Sequence, residues 1–177
     1  MRRLTPALGL ALLVVLVLLA ACGRAPDLQQ GYRRDVPITS IVFFDPARFA
    51  GDWVEVAAFR PPGAAPCSGA RARYSPAPDG SLAVVEQSCA RASAATRQGS
   101  ASLTGPGRLT VTAGGDTDIY WMLWVDEGYR TAVVGMPSGK LGFILNRDAA
   151  IPPDRLQAAR TILEWNGYDL SRLVMQD

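Results

Sequence analysis

The sequence predicts an all-β fold in which antiparallel strands form a sandwich or barrel and one C-terminal α-helix packs outside the sheet. Three observations carry this reading. Seven or eight short apolar runs follow one another, with turn signals every 8 to 12 residues. No helix long enough to cover a parallel sheet stands between them, so the strands must pair with their neighbours in sequence. The period changes from two to 3.6 only in PPDRLQAARTILEWNG, where Leu156, Ala159 and Ile162 or Leu163 fall on one flank.

The chain of 177 residues opens with Met1-Arg2-Arg3, a Leu/Val/Ala-rich core from Leu8 to Leu19 and small residues before Cys22. This order reads as an export signal spanning residues 1–21. A retained transmembrane helix is the alternative, because Leu4 to Ala21 is 18 residues without a charge and lies near the lower limit for spanning. No basic stop-transfer cluster follows, and a Cys stands where a processing enzyme would need it. Removing the signal takes away Arg2 and Arg3, so 18 basic residues become 16 against 16 acidic. A neutral chain gives no case for a nucleic-acid partner, and the remaining length fits one domain with a fair core. Residues 22–42, with Pro26, Gly31, Pro37 and several charges, read as a tether leading to a domain over 43–177.

Within the domain, DPARF suits a short helical turn, and DWVEVAAF is a first strand carrying Val54, Val56 and Phe59. PPGAAP is an irregular loop. ARARYS and SLAVVEQSC are strands joined by PAPDG, whose Pro, Asp and Gly suit a turn. SAATRQGSASL continues in small and polar side chains, GPG breaks it, and RLTVTA follows. AGGD then turns into the apolar DIYWMLWVD, and DEG and PSG connect YRTAVVGM and KLGFILNR. Pro153 and Asp154 open the helix, and Gly167 closes it. The last stretch, LSRLVMQD, is extended.

Cys67 and Cys89 are centred on position 78, inside PAPDG, so a symmetric hairpin would place them opposite one another. An oxidising compartment permits a disulfide between them. A reactive thiol pair or a metal site is the other reading, but the spacing is not CxxC, the chain has no His, and no acidic cluster flanks either Cys. The lack of His also removes a Ser-His-Asp triad, and no GxSxG, phosphate-binding Gly loop or HExxH occurs. Glu55, Asp118 and Asp126 are candidates for an acid/base pair. Each has a plainer reading: Glu55 sits in a strand of unknown facing, Asp118 follows a turn, and Asp126 begins the DEG turn. No catalytic residue, metal or cofactor is expected.

Two stretches resemble known families. LAAC resembles the lipobox of bacterial lipoproteins, which implies that Cys22 becomes an acylated first residue held stably by several acyl tails. Gly23 in place of Asp favours, by that resemblance, the periplasmic face of the outer membrane. FAGDWVEVAAF resembles the opening signature of lipocalins, with Gly51 and Trp53 after a short helical turn. YWMLWVDEGYRTAVVGMPSGKLGFILNR and the closing helix are similar to the last strands and helix of bacterial outer membrane lipocalins, including Arg147 and the Gly-Tyr-Asp ending at Gly167 to Asp169. The resemblance covers residues 43–176 and implies an eight-stranded up-and-down barrel closed at one end, with Arg147 lying over the Trp53 indole.

It also implies a function: binding or carrying a small hydrophobic ligand, such as a fatty acid or lysophospholipid, in outer membrane maintenance, by a monomer or homodimer. An apolar tail would gain about 0.8 kcal/mol per buried methylene, and polar groups near the mouth would select the head. In DIYWMLWVD, Tyr120, Met122 and Trp124 alternate with Trp121, Leu123 and Val125, and period two fixes the partition without its sign. We expect Tyr120, Met122 and Trp124 to line the interior, with Tyr74 and Phe143 beside them. RASAATRQGSASLTGPGRLTVTAGG departs from the family in being poor in aromatics, which allows a wider, more polar, filled or open cavity. The alternative function is a structural or inhibitory periplasmic lipoprotein acting through its outer surface, which predicts a barrel filled by side chains.

Overall fold

A computed structural model describes residues 31–60, 67–91 and 95–176. The expected signal, Cys22 with its acyl anchor, the start of the tether and the PPGAAP loop lie outside them. Asp45 starts the first element, α1 (Pro46–Phe49): its carboxylate accepts from the backbone N–H groups of Ala47 and Arg48, and Pro46 takes the first helical position. The strands follow as β1 (Gly51–Phe59), β2 (Arg71–Pro76), β3 (Leu82–Gln87), β4 (Arg97–Gly105), β5 (Arg108–Ala113), β6 (Asp116–Val125), β7 (Thr131–Gly135) and β8 (Gly142–Asn146). After α2 (Pro153–Trp165), a single 3-10 turn leads to β9 (Leu173–Met175).

From β1 to β8 each strand pairs antiparallel with the next, and β1 also pairs with β8, so the first eight strands close into an up-and-down barrel. Closure removes the free edges that an open sheet would expose. β9 adds to β1 outside that ring, through Ala57↔Met175 to Phe59↔Leu173. The tight turns after β2, β4 and β6 gather with α1 at one end, the closed end. The carboxyl ends of β1, β3, β5 and β7 lie at the other, the mouth.

The side chains divide into two cores. Inside the barrel, Phe49, Trp53, Tyr74, Leu109, Met122 and Leu145 pack together. Outside it, Ala159 and Leu163 of α2 meet Leu123, Val133 and Ile144. Full burial of a Leu such as Leu163 contributes about 1.5–3 kcal/mol. Gly167, at φ +86°, ends the helix in the left-handed conformation, and Tyr168 N donates back to Leu163 O at 3.0 Å.

At the closed end, Trp53 donates from Nε1 to Phe49 O at 2.8 Å, and the Arg147 guanidinium lies 3.7 Å from its ring centroid. Arg147 also donates to the carbonyls of Asp52 (2.8 Å), Arg48 and Ala50 (each 3.0 Å) and Tyr129 (3.1 Å). Gly51 has φ +106°, and a Cβ there would stand 3.0 Å from Arg147 Nη1. The Gly of the Gly-x-Trp stretch therefore answers to both backbone and space.

Cys67 and Cys89 form a disulfide with their Cα atoms 5.6 Å apart. The chain from Gly31 to Phe44 lies along the barrel wall as a strap. Tyr32 N donates to Gly139 O at 2.7 Å at the mouth, Thr39 N to Asn166 Oδ1 at 2.9 Å, and Ile41 N to Met122 O at 2.9 Å further down.

The structure corrects one expectation in β6. Tyr120 and Met122 face the interior, but Trp124 packs in the outer core with Trp121 and Leu123. A bulge between Met122 and Trp124 is the cause: Met122 pairs with Val134 and Trp124 with Val133, so Leu123 is an extra residue. One inserted residue reverses the facing of everything beyond it, and Val125 turns inward instead.

Candidate functional site

The half of the barrel toward the mouth is built from charge. The alternation of β3 puts Glu86 on the interior face with Leu82 and Val84, and the register sets Arg97 of β4 directly opposite it. Arg97 Nη1 donates to Glu86 Oε1 at 3.0 Å and to Asp118 Oδ2 at 3.2 Å, while its Nε and Nη2 donate to Ala113 O. Arg91, just past β3, donates from Nη2 to Asp118 and, at 2.9 Å, to the Tyr120 hydroxyl. Tyr120 donates in turn to Glu86 Oε1 at 3.2 Å. Small neighbours make room for these long side chains: Ala72, Ala101 and Ala113 share the interior face. At Gly99 a Cβ would come within 1.8 Å of Thr112 O, so β4 and β5 approach too closely there for any side chain.

Two guanidiniums and two carboxylates balance one another, which is what lets such charges stay out of water. Burial raises the Glu86 carboxyl above its ordinary value even though Arg91 and Arg97 pull the other way. Burial, with Glu86 nearby, also raises the Tyr120 hydroxyl, which stays protonated as a donor. One group is left over: Arg91 Nε is buried without an acceptor among the described residues. A buried donor in that condition costs about 1–3 kcal/mol and calls for an explanation.

On the facing wall, Glu55 is 3% exposed. Its carboxyl accepts from Cys89 N at 2.8 Å and Ser88 Oγ at 2.5 Å, which ties β1 to the turn that carries the disulfide. Burial pushes this carboxyl up to about 7, against the opposing pull of the Ser88 and Cys89 hydrogen bonds. Between Glu55, Glu86, Tyr74 and Phe143 lies a cavity of about 10 Å³, room for about one water. Below it the barrel is apolar and packed, with Phe49 stacked 4.9 Å from Trp53 and tilted 4.8 Å from Tyr74.

Of the residues the sequence pointed to, Tyr74, Tyr120, Met122 and Phe143 come together in the interior, and Tyr120 meets Phe143 edge-on at 5.5 Å. Trp124 does not join them. Asp126 accepts from the N–H groups of Arg130 and Thr131 at 2.5 and 2.7 Å, the local turn role expected of it. Asp118 and Glu55 have larger roles than their plain readings gave them. Sequence reasoning missed Glu86, Arg91 and Arg97, although Leu82, Val84 and Glu86 share one phase of SLAVVEQ. A larger groove, of about 520 Å³, lies at the closed end between Ile41–Asp45, Arg48, Val125–Glu127 and Tyr129.

Barrel, outer helix and closed-end signature are those of a family. The model of the lipocalin-like domain matches residues 44–177, and the chain belongs to that family. It is 29% identical over 143 residues to temperature-induced lipocalin-1 of Arabidopsis thaliana, which covers 71% of this chain and 75% of that protein. Among solved structures, the allergen Per a 4 from cockroaches superposes with a TM-score of 0.61 at 13% identity, over 82% of this chain and 95% of that one. Insecticyanin from the tobacco hornworm Manduca sexta gives 0.60 at 17%, over 83% and 86%. Lobster apocrustacyanin A1 gives 0.58 at 16%, over 86% and 92%. At these identities the solved structures speak for the fold alone; it is the lipocalin family, shown by the domain match, that typically binds small hydrophobic ligands.

Proposed function

We propose that this protein is a lipid-anchored lipocalin of the outer membrane, facing the periplasm, that binds a single-tailed anionic amphiphile, a fatty acid or lysophospholipid. The observation that supports this most is Arg91 Nε, buried without an acceptor among the described residues and beside Arg97, in the mouth half of a barrel whose floor is apolar. Guanidinium is the donor that suits a carboxylate or phosphate, in pairs of hydrogen bonds. The tail would descend past Tyr120 and Phe143 toward Met122, whose unbranched thioether chain adapts to a new neighbour at low cost.

An added anion upsets the two-against-two balance, and Glu86, the carboxylate that Arg97 and Tyr120 hold, is assigned the proton taken up in response. Binding then releases the arginines from Glu86 while the net charge of the cluster is kept. The test is native mass spectrometry of residues 24–177 titrated with a fatty acid and a lysophospholipid, with Arg91→Met as control. Saturable uptake of one lipid per chain, weakened about tenfold or more in the variant, is expected. No uptake of either lipid overturns the reading.

The cavity of about 10 Å³ favours a second reading, in which the barrel is a filled scaffold acting through its outer surface. Absence of uptake in the same titration is its expected result.

A further inference from the structure

We propose that the mouth of the barrel, not its closed end, rests against the bilayer that holds the protein; this depends on the acylation of Cys22 proposed above. The described chain starts at the mouth. Gly31 packs so closely on the β7–β8 turn that a Cβ would stand 2.8 Å from Ser138 O and 3.0 Å from Gly139 O. The next residue fastens there by Tyr32 N to Gly139 O at 2.7 Å. Arg33 holds the same place from its side chain, with Nη1 donating to Pro137 O at 2.8 Å and Nε to Asn166 O at 3.1 Å.

From Cys22 to Gly31 there are nine residue steps, which span at most about 30 Å even when fully extended. The wall they would have to pass is of similar length: β6 has ten residues at about 3.3 Å each, or about 25 Å along the axis after barrel tilt. Docking by the closed end would need the tether drawn nearly straight back along the whole barrel. Docking by the mouth leaves it slack.

The mouth end also carries a group suited to a lipid–water boundary. Trp165 ends α2 one residue before Asn166, which Arg33 binds at the mouth turn, and it is 73% exposed. An indole with its N–H toward water and its ring toward lipid is at home in that layer. The competing surface is the pair Val42 and Phe43 at the closed end, 69% and 91% exposed; the entropy lost in drawing the tether nearly straight opposes it. A mouth held on the bilayer lets an amphiphile pass between the two without crossing water.

The full-length acylated protein in vesicles of phosphatidylethanolamine and phosphatidylglycerol tests this, labelled with bimane at Asp116→Cys (mouth) or Glu127→Cys (closed end). A nitroxide on the lipid head group is the quencher. Quenching at position 116 at least threefold that at 127 is expected, and Trp165→Ala should about halve it. Equal or reversed quenching overturns the mouth-down orientation, and no effect of Trp165→Ala overturns that residue's part in it. Mass spectrometry of the same sample separates the two levels of the argument. A chain without acyl groups that fails to float with the vesicles overturns the anchor and the orientation together; an acylated chain with the reversed pattern overturns the orientation alone.

Discussion

Replacing Glu55 by Gln tests how the mouth half is held together. In the native barrel this carboxyl sits at about 7, against 4.5 for the free side chain. A carboxyl raised by folding favours the folded state while protonated. Its contribution is therefore fully present below about pH 4.5 and is lost as pH rises through about 7. The gap, at about 1.4 kcal/mol per pH unit, corresponds to about 3 kcal/mol. Glutamine has the same shape, carries no charge and keeps an oxygen for Cys89 N, now 2.8 Å from Oε1; its amide can donate to the Ser88 hydroxyl. The assay is urea unfolding at intervals from pH 4.5 to 8.5 with the disulfide intact. The wild type should lose about 2–3 kcal/mol across that range beyond the drift shared by both proteins, and Glu55→Gln should not. Parallel profiles for the two would refute the assignment of a buried, protonatable carboxyl to this position.

Reduction of Cys67–Cys89, which closes a separation of 22 residues, should lower stability by about 3 kcal/mol on the chain-entropy account, read as a lower urea midpoint in dithiothreitol. Arg147→Ala removes a cation stacked on Trp53 and donors to several carbonyls; a loss of about 2–4 kcal/mol is expected by thermal unfolding, and little change would deny that residue its closing role. Trp124→Ala should destabilise through the outer core by about 2–4 kcal/mol yet leave lipid stoichiometry in native mass spectra unchanged, since its side chain lies on the helix side of the barrel. For a lysophospholipid, whose phosphate stays ionised, affinity should rise as pH falls toward 5, because binding takes up the proton assigned to Glu86. Isothermal titration in two buffers of different ionisation enthalpy reads that uptake, and none would remove Glu86 from the mechanism.

The barrel was legible because its signals are local. Turn residues, period-two runs and a single late change to helical period each report on a few neighbours, and Gly51, Trp53 and Arg147 mark the closed end. What escaped was set between strands. The bulge at Leu123 has no mark in DIYWMLWVD; it arises from the fit of β6 to β7, and it alone sends Trp124 outward. The charge cluster was half visible. The weakness of RASAATRQGSASL in aromatics did allow a more polar interior, but the meeting of Arg97 with Glu86 depends on a register that neither strand specifies by itself. Glu55 looked like an ordinary strand carboxylate until the turn after β3 closed over it.

The strap from Gly31 to Phe44 has a mechanical consequence. Its hydrogen bonds to the barrel are spread from the mouth to the closed end, and its first residues are the ones that meet the β7–β8 turn. A pull on the amino terminus therefore loads Tyr32 and Arg33 before any strand of the barrel feels it. Peeling would proceed one attachment at a time, from the mouth downward, with the closed sheet intact until Ile41 lets go of Met122. The strap thus acts as a graded clasp on a closed barrel, absorbing displacement of the amino terminus before it deforms the sheet.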